Sequence, residues 1–354
     1  MRTTYERGQM TDFVTPENII LIYAKGGAGK STKGAQAAAY HFKKWGLKTR
    51  VVGADGGGLK PYLPLIEKGI VEYWPIDLWD ERTIFHTLDW STKGWWPIDV
   101  KTPNSELLPS VKEWRECPKC KGDSGATGLT MVKECAACKA AFGAGQRLEK
   151  KFERINGFDK VGLEIFEGAS AFGQLLLNRL RVVDPEGGRS LKDDGFTIAG
   201  LGKQHYGDAQ TYLGKFISNS RRLPCRTVIW TALELRGQDD EAGGKPVYGP
   251  ALPGKALTAR CIPWFTDVLH LDTAPRKDST GKPVRDKHGL EVIEHKMFLA
   301  DHFPEDTKPY GFVAKSSGAM PPVLDDPFEK NGMETFFEEQ EAAKARYEKL
   351  LIGG

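Results

Sequence analysis

The chain has 354 residues, of which 40% are apolar and 27% charged, with a formal net charge of +3. That length and apolar share bury one elaborated α/β domain or two domains, and they exclude a disordered or fibrous chain. A charge so near neutrality excludes a global field as the basis of nucleic-acid or membrane attachment, so any basic surface must be local.

Residues 1–17 are polar and aperiodic and read as a flexible tail without the apolar core of a signal peptide. No run approaches the ~18 consecutive apolar residues of a membrane span. The chain is therefore expected to be soluble and cytoplasmic, with reduced thiols.

An apolar strand over Ile19–Tyr23 breaks into Ala24-Lys25-Gly26-Gly27-Ala28-Gly29-Lys30-Ser31-Thr32, and a helical pattern follows. This is the pattern of a phosphate-binding loop. Glycines let successive backbone N–H groups turn toward an anion, and the next helix offers the positive end of its dipole. Lys30 reaches the β/γ-phosphates and Ser31 holds Mg²⁺. Ala24 stands where the first glycine of G-x-x-x-x-G-K-[ST] is usual, so the loop must enter with an ordinary backbone there.

Lys30–Trp45 reads as an Ala-rich helix stopped by Gly46, and Thr49–Ala54 as a second strand leaving through Asp55-Gly56-Gly57-Gly58. A short helix is expected over Tyr62–Lys68 and a strand over Ile70–Pro75, followed by Trp79, Trp90, Trp95 and Trp96, which read as packing anchors. These elements make up the first part of the core, 18–99. Residues 100–150 read as an insert, and 151–328 as the second part of the core. The second part has a strand at Val161–Glu167 and a helix running to Arg181. A helix at Gly207–Arg222, a strand at Arg226–Thr231, a Gly- and Asp-rich loop at Arg236–Gly254 and strands near Phe265–Leu271 and His295–Leu299 follow. Residues 329–354 carry an amphipathic helix over Met333–Ile352, expected to pack back on its own domain. Strands alternating with helices imply α/β architecture with a mostly parallel central sheet covered on both faces.

Hydrolysis of a bound triphosphate needs a metal, a charged clamp and a carboxylate that positions water. Glu167 ends the apolar strand before Gly168-Ala169-Ser170, where an acid would support Mg²⁺. Glu164, three residues earlier, faces the other side of the sheet. Asp55 leaves the second strand on the side of the phosphate loop and is the candidate for activating water; a self-capping Asp-Gly turn is the alternative. Thr231 closes its strand as a candidate γ-phosphate sensor.

Cys117-Pro-Lys-Cys120 and Cys135-Ala-Ala-Cys138 form two C-x-x-C knuckles. Four thiolates so spaced suit one tetrahedral Zn²⁺ in a closed structural site, which leaves no open position for catalysis and lets a short insert fold with almost no core.

Two known families share these motifs. Lys25-Gly26-Gly27-Ala28-Gly29-Lys30-Ser31 resembles the deviant loop of ParA/MinD partitioning ATPases, in which a lysine matching Lys25 reaches a partner's nucleotide across a dimer. The order of the remaining motifs resembles the RecA-like P-loop ATPases of phages, including core-only single-strand-annealing recombinases. Its carriers are Ala54-Asp55-Gly56-Gly57, Ile165-Phe166-Glu167-Gly168, Val228-Ile229-Trp230-Thr231-Ala232, Gly249-Pro250-Ala251-Leu252-Pro253-Gly254-Lys255 and Val313-Ala314-Lys315-Ser316-Ser317-Gly318.

The second resemblance implies a RecA-like fold, which the zinc-ribbon insert interrupts, and ATP and Mg²⁺ bound by Lys25 through Thr32. It implies catalysis by Lys30, Asp55 and Glu167, with Lys315 acting in trans toward a neighbouring subunit. It also implies action on DNA, single-stranded by family, in phage-type recombination or replication, as a homo-oligomer with no membrane partner, in the host cytoplasm if phage-encoded. A ParA/MinD-like dimerising switch and a non-hydrolysing, ATP-bound scaffold recruiting partners through the ribbon are the alternative functions.

Overall fold

A computed structural model describes residues 16–54, 56–76, 95–97, 107–109, 111–125, 134–143, 148–154, 161–184, 190–193, 196–199, 201–221, 223, 225–238, 246–254, 257, 260–301, 311–316, 320–326 and 331–352. Most of the expected tail, Asp55, Trp79 and Trp90 lie outside the described residues.

The first strand, β1 (Asn18–Ala24), is buried along almost its whole length and sits at the centre of the sheet. It leads into α1 (Lys30–Trp45), which ends at Gly46 with φ 68°, and then β2 (Lys48–Gly53). A 3-10 turn over Gly56–Tyr62 joins β2 to α2 (Leu63–Glu67) and β3 (Val71–Pro75). Two small hairpins follow, β4 (Trp95–Pro97) with β5 (Leu107–Pro109), and β6 (Val111–Glu116) with β7 (Glu149–Arg154). The chain re-enters the sheet through β8 (Val161–Glu167) and continues into α3 (Ala169–Val183). A hairpin of β9 (Ser190–Asp193) and β10 (Phe196–Ala199) then precedes α4 (Lys203–Ser220). The remaining strands are β11 (Thr227–Gln238), β12 (Pro246–Pro250), β13 (Asp267–Pro275), β14 (Ile293–Phe298), β15 (Gly311–Phe312) and β16 (Val323–Asp326), before α5 (Gly332–Ile352).

The order β16-β14-β13-β1-β11-β8-β2-β3 makes one sheet. Pairing is parallel from β13 through β1, β11, β8 and β2 to β3, and antiparallel at β14 and β16. Parallel strands need cover on both faces. One face packs Ile20, Ile22, Val51, Leu163 and Ile165 against α1 and α5. The opposite face packs Phe166 and Trp230, stacked 4.3 Å apart across the β8–β11 ladder, against Phe172 of α3 and Phe216 of α4. The mostly parallel α/β core expected from the alternating pattern is therefore present.

Strand β11 differs from expectation. It runs past Thr231 to Gln238 and pairs antiparallel with β12, inside the stretch whose Gly and Asp content reads as loop. The overhang buries little, since Leu233 and Leu235 are exposed, so its apolar pattern alone does not distinguish it from a loop.

The C-terminal helix α5 packs on α1. Tyr40 stacks on Phe337 at 5.1 Å, Lys43 pairs with Glu334 at 2.7 Å, and Lys44 pairs with Glu341. His41 lies beneath Trp45 and Phe337, wholly buried, with neither ring nitrogen hydrogen-bonded among the described residues. Burial, with Arg226 and Lys44 nearby, pushes its imidazole down to about 3. The folded state therefore holds His41 neutral while the unfolded chain takes up a proton below about 6.5. Stability is full above that pH and falls by up to ~1.4 kcal/mol per unit between about 6.5 and 3. The unfolding free energy from urea titrations should drop between pH 7.5 and 4.5 by about 2–3 kcal/mol more for the wild type than for His41→Leu. Equal losses would show that the imidazole is not held neutral.

Candidate functional site

The phosphate loop spans the end of β1 and the start of α1. Gly27 and Gly29 hold φ of 78° and 89°, conformations that a Cβ disfavours. Ala24 and Ala28 are absent from the positive-φ positions, so the loop enters with an ordinary backbone at Ala24. Gly29 caps α1, whose first turn carries no acidic residue, so the dipole at that end is not offset from within the helix. Lys30 Nζ donates to the carbonyls of Ala24 (3.2 Å) and Lys25 (3.0 Å), bridging the loop's two sides. Lys25, Gly26, Gly27 and Thr32 are exposed, and Ala28 is buried.

Glu167 reaches this loop from the end of β8, although β11 lies between β8 and β1. Ser31 Oγ donates to Glu167 Oε1 at 2.5 Å, and Tyr62 Oη donates to Oε2 at 2.9 Å. Both carboxylate oxygens are thus fixed by hydroxyls, with the carboxylate almost fully buried. Burial, followed by the Glu167 charge and hydrogen bond, raises the Tyr62 phenol well above its usual range, so it stays a neutral donor. Local sequence carries no signal for Tyr62; its place is set by tertiary fit. A Cβ at Gly34 of α1 would lie 2.0 Å from the Tyr62 hydroxyl, and one at Gly58 would lie 2.9 Å from Glu167 Cγ. These two glycines make the room in which the phenol and carboxylate meet.

The turn after Glu167 is held from β11. Gly168, at φ 91°, donates its N–H to Thr231 Oγ1 at 2.8 Å, and Ala54 donates its N–H to the Glu167 carbonyl at 3.0 Å. The end of β2, and so the residue just before Asp55, is tied to the Glu167 backbone. Asp55 itself lies outside the described residues. Glu164 is buried on the other face beside Arg50, and burial pushes its carboxyl well above the usual range. Lys315 is not drawn into this cluster. Its backbone exchanges two hydrogen bonds with Val268 of β13 (2.8 and 3.0 Å), one strand removed from β1.

A second candidate site closes the β6–β7 stem. The sulfurs of Cys117, Cys120, Cys135 and Cys138 lie within 4.8 Å of one another, with Cys117–Cys138 at 3.7 Å and Cys120–Cys135 at 3.8 Å. A tetrahedron with Zn–S arms of about 2.3 Å has edges of roughly 3.8 Å. Disulfide sulfurs, by contrast, sit about 2 Å apart. Each knuckle turns alike: Lys121 N–H donates to the Cys117 carbonyl and Lys139 N–H to the Cys135 carbonyl, with φ of 60° and 57° at the two lysines. The donor set fits zinc.

Among the described residues, no helix is long and apolar enough to cross a membrane. No protein-family model and no curated protein matches the chain. Among solved structures it is similar to the KaiC-like protein PH0186 from Pyrococcus horikoshii OT3, at 8% identity over 88% of this chain and 89% of that one, with a TM-score of 0.33. It is also similar to the flagellar accessory protein FlaH from Methanocaldococcus jannaschii, at 9% identity over 89% and 91%, with a TM-score of 0.34.

Proposed function

We propose that this chain binds and hydrolyses Mg·ATP and works on DNA, single-stranded by family resemblance, as a homo-oligomer in phage-type recombination or replication. The observation that carries the ATPase reading is the 2.5 Å bond between Ser31 of the phosphate loop and Glu167 of β8. Hydroxyl and carboxylate oxygens are the hard donors Mg²⁺ takes alongside phosphate, so this pair fits the metal. The metal, when bound, would neutralise charge on the triphosphate. Lys30 serves the β/γ-phosphates, and the loop amides from Gly26 to Thr32 cradle them. Tyr62 keeps Glu167 aimed at the loop. Asp55 activates water, and Lys25 or Lys315 acts toward a neighbouring subunit. The four cysteines hold a structural zinc.

Turnover of ATP should require Mg²⁺ and rise severalfold with single-stranded DNA, measured at stated salt against duplex and no DNA. Tight ATP binding with no turnover under any condition would instead support a passive scaffold. Turnover indifferent to both DNA forms would remove DNA from the reading.

A further inference from the structure

Between β13 and β14 the chain makes an octapeptide repeat, Lys277-Asp-Ser-Thr-Gly-Lys-Pro-Val284 followed by Arg285-Asp-Lys-His-Gly-Leu-Glu-Val292, with the shared pattern [KR]-D-x-x-G-x-x-V. Each copy folds as a tight hairpin tip. Gly281 and Gly289 take φ of 81° and 79° and return their N–H groups to the carbonyls of Asp278 and Asp286. An Asp opening a type I turn with a left-handed Gly closing it is the usual three-residue hairpin chemistry. At the base, three bonds close a ring: Arg276 N–H to the Val292 carbonyl, Val292 N–H to the Val284 carbonyl, and Val284 N–H to the Arg276 carbonyl, at 2.7, 2.9 and 2.7 Å. The result is a two-tipped projection, exposed throughout except at half-buried Val284 and Val292.

Its charges are sorted by this geometry. Residues 276–292 hold five Lys or Arg (276, 277, 282, 285, 287) against three acids (278, 286, 291). Two of the acids are turned inward. Asp278 Oδ1 accepts from the N–H groups of Thr280 and Lys282 and from the Thr280 hydroxyl, and Asp286 Oδ1 accepts from the N–H groups of His288 and Leu290. Arg276 faces Glu294 at 3.9 Å, and Arg285 donates to the Gly289 carbonyl. Lys277, Lys282 and Lys287 make no ion pair among the described residues, and all three are exposed.

The projection also stands at the functional end of the sheet. Strand β13 runs parallel to β1, with His270 level with Tyr23, and continues for Leu271–Pro275, about 16 Å at ~3.3 Å per residue. It therefore runs past β1, paired with β14, on the side from which the phosphate loop emerges.

We infer that this two-tipped projection grips the sugar–phosphate backbone of nucleic acid through Lys277, Lys282 and Lys287. The inference rests on the DNA reading above and names its surface. Exposed lysine ammonium groups and the Ser279 hydroxyl match phosphate oxygens, which are contacted without regard to base sequence. A membrane-surface segment would pair its basic residues with several apolar ones, and here only Leu290 is a large exposed hydrophobe.

The test is fluorescence anisotropy with labelled single-stranded and duplex oligonucleotides, from 50 to 300 mM KCl, for wild type and the triple variant Lys277→Ala/Lys282→Ala/Lys287→Ala. The variant should bind single strands at least tenfold more weakly at low salt. Its slope of log K against log salt should be shallower by about 2, near 0.7 per lost phosphate contact. DNA-free ATPase should be unchanged, and the corresponding Lys→Arg variant should bind as wild type does. Wild-type affinity and slope in the alanine variant would overturn the placement while leaving the DNA reading intact. A wild type that binds neither oligonucleotide would overturn both. Lysine-dependent binding to phosphatidylserine vesicles without oligonucleotide binding would replace nucleic acid with a membrane.

Discussion

Glu167→Gln should lower ATP turnover by roughly 10²-fold or more while leaving nucleotide binding within a few fold, because a neutral amide keeps the shape of the site but withdraws the charge that supports the metal. The fold should tolerate the change. The carboxylate accepts from Ser31 at 2.5 Å and Tyr62 at 2.9 Å. An amide can accept one of these hydroxyls and donate to the other, since either hydroxyl can reverse its role. Tyr62→Phe makes the contrast. It removes one hydroxyl but keeps the charge, so turnover should fall by about tenfold with the Mg²⁺ requirement intact, as expected of a positioning residue worth one charge-assisted hydrogen bond. Single-turnover kinetics across a Mg²⁺ titration separate the two. If Glu167→Gln hydrolyses ATP at the wild-type rate, the carboxylate has no part in the chemistry.

Purified protein should carry one zinc per chain, and stripping it should unfold the ribbon while sparing the sheet. Among its described residues, the segment between β6 and β7 buries only the thiols of Cys117 and Cys135 and the side chain of Ser124. A four-thiolate zinc contributes about 10–16 kcal/mol in small modules, more than such a segment could otherwise supply. Removal of the metal with a strong zinc chelator should open the region around residues 111–154 to protease, and the α/β core should keep its cooperative unfolding transition. Metal-free protein with an equally protease-resistant ribbon would contradict a structural metal.

The phosphate loop and the strands feeding it were legible because their signals are local. A buried parallel strand shows as an apolar run, unbroken over Ile19–Tyr23 of β1 and interrupted only by Glu164 before the end of β8, and the loop needs glycines where φ is positive, as at Gly27 and Gly29. The two C-x-x-C knuckles were legible for the same reason, since four sulfurs on one metal demand that spacing. Tyr62 was not. Its meeting with Glu167 depends on Gly34, 28 positions earlier in sequence, and on the approach of β8. Nor was the long β11 overhang, where exposed residues and a short partner strand bounded by Pro246 and Pro250 leave little periodicity. The octapeptide repeat was present in the residue order, but its meaning required the inward turn of Asp278 and Asp286, which converts a mixed-charge loop into a basic projection.

Equilibrium binding of Mg·ATP to the wild type and to Lys30→Ala tests the central claim most directly. The account predicts saturable, one-to-one binding in the micromolar range for the wild type, and a loss of about 100-fold or more when the ammonium that bridges Ala24 and Lys25 is removed. Absence of wild-type binding, or equal affinity in the two proteins, would contradict it.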